Sequence, residues 1–191
     1  MLSIVLGFLP WIILATLGEH AFVPALLLSL ASAAITTFRQ FRKGSPKILD
    51  TATLVFFVCV AVGVLGFAWM ALATYMSVLV NITLTAIAWG SLAAGTPFTI
   101  QYAREQVAPE YWNSPGFMRV NQCITAVWGL DFFLSTLISA YRTFTGDPSL
   151  VWKYAWVALS LLAALFTKYF PAWYRARALR LVPQNAPPAA R

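Results

Sequence analysis

Residues 117–141 read FMRVNQCITAVWGLDFFLSTLISAY. The stretch is apolar nearly throughout, with Arg119 near its start and a single acid, Asp131, near its middle. A helix needs about 20 residues, within a range of about 17–25, to cross the hydrocarbon core of a bilayer. The apolar character is continuous rather than alternating, which selects a helix over a barrel strand. In lipid a helix also satisfies its own N–H and C=O groups, which an open strand cannot do.

Five further stretches have the same character: Leu2–Leu17, Ala21–Phe38, Ile48–Phe67, Ala68–Ala94 and Leu150–Phe170. The first is short and contains Pro10, and only Gly18-Glu19-His20 separates it from the second. That pair reads either as two short spans or as a half-inserted hairpin followed by one full span. The opening residues lack a basic region and a small-x-small cleavage site, so they read as a retained helix rather than a signal peptide. Of the 191 residues, 60% are hydrophobic and 10% charged. A soluble domain carries about 25% charged residues, and no soluble fold of this size hides so much apolar side chain. The expected fold is all-α: a polytopic bundle of about six transmembrane helices over residues 1–174, with a Pro-rich, disordered cytoplasmic tail over 175–191.

The net charge is +7, and its distribution orients the bundle. Arg39, Arg42, Lys43 and Lys47 follow the second segment, Arg104 lies in the fourth loop, Arg119 stands at the start of the fifth segment, and Arg175, Arg177, Arg180 and Arg191 lie in the tail. Six spans put all of these on one side and leave Arg142 and Lys153 near the other, which predicts cytoplasmic termini. The bases meet lipid head groups, and no basic aromatic domain remains for nucleic acid. Trp69, Trp112, Trp152, Trp173 and Tyr174 mark segment ends, as an interfacial belt does. Cys59 and Cys123 read as reduced packing residues. No internal repeat of the inverted-transporter kind is visible.

Two ridges of small residues recur every fourth position: Ala25, Ser29, Ala33 and Thr37 in the second segment, and Ala86, Gly90 and Ala94 in the fourth. Such ridges let helices approach closely in lipid. Asp131 is the sharpest chemical signal, because a charge at the bilayer centre costs about 2.5–3.5 kcal/mol on insertion scales. It must face protein or a wet cavity. Ser135 and Ser139 continue its face, toward Arg142. The fourth segment carries a matching stripe of Thr74, Ser77, Asn81 and Thr85. In an antiparallel pair, Asn81 and Asp131 reach similar depth, so the two stripes are expected to form a polar seam. The seam reads either as a hydrogen-bonded clasp or as a proton or solute pathway.

The fourth loop, GTPFTIQYAREQVAPEYWNSPGFMRVN (95–121), predicts a short interfacial helix capped by Thr96, with Pro97 at its first position and its end before Pro109. Arg104 and Glu105 are adjacent and project apart, so either is available to a partner elsewhere. The loop reads as a structural latch ahead of a ligand site. A metal at His20 and Glu19 would need further ligands from elsewhere, such as Asp147, and no metal site is expected. The chain contains no phosphate-binding loop, zinc-protease motif, nucleophile elbow or dinucleotide fingerprint, and no cofactor is called for.

Gly7-Phe8-Leu9-Pro10, the basic loop RQFRKGSPK (39–47), Thr96-Pro97-Phe98, and Trp112, Asn121 and Trp128 leading into the fifth segment follow in order over about 170 residues. In this layout the chain resembles the bacterial intracellular septation protein A family of inner-membrane proteins. This chain has Thr96 where the family element has lysine, and a longer segment, IQYAREQVAPEYWNSPGF (100–117). The resemblance implies a bacterial inner-membrane protein linked to cell division and envelope integrity through contacts with other membrane proteins. The expected function is therefore non-enzymatic support of envelope or septum assembly, with the bilayer and other membrane proteins as partners and a homo-oligomer left open. The alternative is a small transporter or channel component working through Asp131 and Asn81. A third reading is an assembly factor for a larger membrane complex.

Overall fold

A computed structural model describes residues 2–147 and 149–181. The described elements are helices α1 (Leu2–Leu17), α2 (Phe22–Arg42), α3 (Ile48–Ala61, continued as a π-turn over Val62–Gly66), α4 (Ala71–Thr74), α5 (Met76–Ala93), α6 (Phe98–Ala103), α7 (Pro115–Thr145) and α8 (Leu150–Leu181), with a 3-10 turn at Pro109–Tyr111. No strand occurs among the described residues. Five helical stretches, Phe22–Arg42, Ile48–Gly66, Met76–Ala93, Pro115–Thr145 and Tyr154–Arg177, are long and apolar enough to cross a membrane. By length and composition this is a multi-pass membrane protein.

Local chemistry sets the helix ends. Ser114 caps α7 by accepting from the Phe117 N–H at 3.3 Å, and Pro115 occupies the first turn, where its missing N–H costs nothing. Gly146, at φ +66°, closes α7 with its N–H on the Arg142 carbonyl. The left-handed turn there suits a residue without Cβ. The apolar run 68–94 is not one helix. Ala68 has φ +54°, and the Trp69 N–H turns back to the Gly63 carbonyl at 3.0 Å. The long helix therefore starts only at Met76.

Packing runs through four main contacts: α5 against α7, α1 against α2, α2 against α3, and α7 against α8. The α2 ridge of Ala25, Ser29, Ala33 and Thr37 is buried. At 16 residues and about 1.5 Å per residue, α1 is shorter than the roughly 30 Å hydrocarbon core. It is nonetheless integral to the bundle. Phe8 stacks on Trp128 at 5.6 Å, Trp11 packs against both Phe56 and Phe57, and Pro10 is buried. The α8 helix is different in kind: only 6% of its apolar window is buried, against 28–44% for the other four spans. It continues through Leu181, so residues 175–181 of the expected tail are helical. Residues 182–191 lie outside the described residues.

Candidate functional site

Among the described residues, two polar regions that hold a buried acid interrupt the apolar interior. The first is the α5–α7 seam. Asn81 donates from Nδ2 to Ser139 Oγ at 3.2 Å and to the Ser77 carbonyl at 2.8 Å. One step along, Thr85 and Thr136 approach at 3.5 Å. Each of these hydroxyls already donates its single proton within its own helix, to Asn81 and Phe132 carbonyls. The Thr85–Thr136 contact is therefore close packing more than a hydrogen bond.

Asp131 does not face Asn81. It is 4% exposed, and its Oδ2 accepts from Ser160 Oγ of α8 at 3.3 Å. The expectation of matched depth fails because α5 begins at Met76 rather than Ala68. Asn81 thus lies in the second turn of its helix, opposite Ser139, which is about 12 Å along α7 from Asp131 at the helical rise. Ser77 also leaves the seam: its side chain is exposed. Ser135 is fully buried, and among the described residues neither its Oγ nor Asp131 Oδ1 has a hydrogen-bond partner.

The second cluster, at the basic end, is centred on Asp50 in the first turn of α3. Asp50 is 2% exposed. Tyr102 of α6 donates from Oη to Oδ1 at 3.0 Å, and Gln40 of α2 donates from Nε2 to Oδ2 at 2.9 Å. Thr37 donates to the Asp50 backbone carbonyl at 3.0 Å. Gln101 of α6 accepts from the Ile48 N–H at 2.7 Å, one of the amides a helix start leaves open. Lys47 is 2% exposed, with Nζ 2.6 Å from Glu105 Oε1, whose side chain is 41% exposed. The two form a close ion pair. The same ammonium sits 4.2 Å from the centre of the Tyr102 ring. The α1 backbone closes the cluster at Gly7, where a Cβ would stand 2.7 Å from Tyr102 Oη and 2.8 Å from Asp50 Oδ1. Only glycine admits that approach. Burial, and then the neighbouring Asp50 carboxylate, push the Tyr102 phenol well up, so it remains a proton donor at ordinary pH.

The helix α6 positions this cluster, and it does so differently from the expected interfacial helix. Phe98, Thr99, Ile100 and Tyr102 are buried, so α6 plugs the bundle rather than lying along its surface. It ends at Ala103, well before Pro109. Thr96 is exposed and caps nothing. The first N–H of α6, on Phe98, is taken by Ser91 Oγ of α5 at 3.1 Å, because Gly95 at φ +71° folds the chain back onto the end of α5. Thr99 anchors α6 to α7 through the Asn121 carbonyl at 3.1 Å and the Thr125 hydroxyl at 2.7 Å. The Asn121 amide donates to the Phe117 carbonyl within α7. Arg104 lies over the Trp112 ring at 5.3 Å, and the Trp112 indole donates to the Val107 carbonyl. Of the adjacent pair, Glu105 reaches Lys47 and Arg104 reaches Trp112.

Asp50, Tyr102, Gln40 and Gln101 escaped the reading of the sequence as site residues, and Lys47 figured there only as a surface charge. Asp50 and Lys47 were visible as a charged pair at the mouth of an apolar segment. Nothing local distinguishes a buried mouth from a wet one. The chain matches no protein-family model, no curated protein and no solved structure. Chemically, the Asp50 cluster joins α1, α2, α3 and α6 with each carboxylate oxygen bonded. The Asp131 cluster holds acceptor and donor capacity in reserve.

Proposed function

We propose that this chain is a non-enzymatic inner-membrane protein of a bacterium, with cytoplasmic termini, that supports cell-envelope or septum assembly through helix-mediated contacts. The observation that carries the reading is the second small-residue ridge. Ala86 and Gly90 of α5 and Ala94 at its C-terminal end are all exposed, and a Cβ on Gly90 would meet nothing within 4 Å. The α2 ridge is consumed by the bundle's own packing, whereas the α5 ridge is open to another membrane helix. The septation-protein resemblance agrees with that use. Its Gly7 touches the Asp50 cluster, and its Trp128 stacks on Phe8.

Gly90→Leu tests the reading, since the open space admits the side chain without disturbing the monomer. The variant is expected to melt as wild type in mild detergent and to lose membrane proteins that co-purify with wild type. Leu137→Ala, at an exposed position on α7, is expected to keep them. Retention of every partner by Gly90→Leu would sink the proposal.

A second reading, a small transporter or channel component, draws on the unpartnered Asp131 Oδ1 and Ser135 Oγ. It requires proton-coupled flux in proteoliposomes that Asp131→Asn abolishes while leaving the fold intact.

A further inference from the structure

The C-terminal half of α8 carries one continuous stripe. Phe166, Phe170 and Trp173 recur at helical spacing and are followed on the same face by Arg177 and Arg180. Two open grooves lie along it. One, about 390 Å³, is lined by Phe166, Tyr169, Phe170 and Trp173. The other, about 160 Å³, is lined by Trp173, Ala176, Arg177 and Arg180. They share Trp173, so the apolar lining gives way to a cationic one at that residue.

The rings form a stacked row along this face. Phe166 and Phe170 stack at 4.5 Å, Phe170 and Trp173 at 5.8 Å, and the Arg177 guanidinium lies 5.5 Å from the Trp173 ring centre. From Phe166 to Arg180 is about 21 Å along the axis at the helical rise. One leaflet of a bilayer measures about 15 Å of hydrocarbon, and about 20–22 Å with its head groups. The helix α8 contains no acid along its length, so nothing on it neutralises the arginines. The rest of the bundle scarcely covers it.

We infer that this stripe is a binding site for one anionic phospholipid, with its acyl chain in the Phe166–Trp173 groove and its phosphodiester head on Arg177 and Arg180. Length, order of polarity and sign of charge all match that ligand. A zwitterionic lipid would bring a quaternary ammonium toward two guanidiniums. The inference is independent of the α5 ridge.

The test is native mass spectrometry of the full-length protein in detergent, titrated with phosphatidylglycerol and, separately, phosphatidylcholine. Arg177→Gln/Arg180→Gln is expected to weaken the phosphatidylglycerol adduct about twenty-five-fold, at about fivefold per arginine facing an anionic head group, and to leave phosphatidylcholine unchanged. Trp173→Ala is expected to weaken both lipids alike. Arg39→Gln/Arg42→Gln, which removes two charges from α2 instead, is expected to change neither. Four outcomes would overturn the inference: undiminished phosphatidylglycerol binding by the α8 double variant; an equal loss in the α2 double variant, which means diffuse surface charge; displacement of the lipid by inorganic phosphate, which means a head-group site alone; or a protein dimer through α8 that excludes lipid.

Discussion

Two acids lie within the long apolar helices, and they are built into opposite surroundings. Asp50, at the first turn of α3, receives a hydrogen bond on each carboxylate oxygen, from Tyr102 and Gln40. Asp131, mid-way along α7, receives one longer bond from Ser160 and leaves its other oxygen unmatched beside the unmatched Ser135 hydroxyl. Burial alone does not separate them, since they are 2% and 4% exposed. What separates them is how many elements converge. Four helices reach the Asp50 cluster, whereas among the described residues Ser160 of α8 supplies the one hydrogen bond to the Asp131 side chain. A fully partnered acid holds a bundle together, and a half-partnered one is where occupancy can change.

The comparison breaks most directly at Asp50. Asp50→Ala strands the Tyr102 hydroxyl and the Gln40 amide and uncovers the buried Lys47. The expected loss is about 3–5 kcal/mol, measured by SDS-titrated unfolding of the purified protein. A variant as stable as wild type would mean that the cluster is not a clasp. Gly7→Ala attacks the same point from α1, where the added methyl must displace Tyr102 or Asp50. About 1–3 kcal/mol is expected, the range for overpacking a close contact.

Tyr102 sharpens the comparison through pH. Its phenol is held above the ordinary tyrosine value of 10.0 in the folded chain. The unfolded chain therefore releases that proton first, and the folded state binds more protons above pH 10. Stability contributed by Tyr102 is complete below that pH and declines as pH rises past it, by about 1.4 kcal/mol per pH unit. Tyr102→Phe removes this component of the slope and costs about 1–3 kcal/mol at neutral pH, where it leaves Asp50 Oδ1 bare. Parallel alkaline slopes in wild type and Tyr102→Phe would assign the decline to other groups.

How much of this was legible follows the range of each interaction. Apolar length is a local property, and the apolar runs at 48–67 and 117–141 fall on the long apolar helical stretches Ile48–Gly66 and Pro115–Thr145. The α2 ridge is equally local, because i, i+4 spacing is a property of one helix. Asn81 with Ser139 was half legible. The polar faces of α5 and α7 do meet, but the depth of Asn81 depended on where α5 starts, and that hinges on one left-handed alanine, Ala68. The Asp50 cluster was not legible. Gln40 precedes Asp50 in the chain and Tyr102 follows it by more than fifty positions, and no spacing rule links them. The α6 cap was misread for a similar reason. Thr96 stood at the conventional position, while the oxygen that serves the Phe98 N–H comes from Ser91, across the turn at Gly95.

The smallest expected effect bears on the other half of the comparison. Asp131→Asn keeps the shape and can still accept from Ser160, so a loss below about 1 kcal/mol is expected. Ser135→Ala carries an unusual sign. Its hydroxyl is buried without a partner, so folding desolvates it without return. Removing it deletes no hydrogen bond and leaves a space smaller than a methyl group. The expected change is a gain of up to about 1 kcal/mol in the same SDS titration. A loss instead would mean that the hydroxyl and Asp131 Oδ1 share a bound species in the membrane. The Asp131 cluster would then be an occupied site, and the transport reading would gain the stronger claim on it.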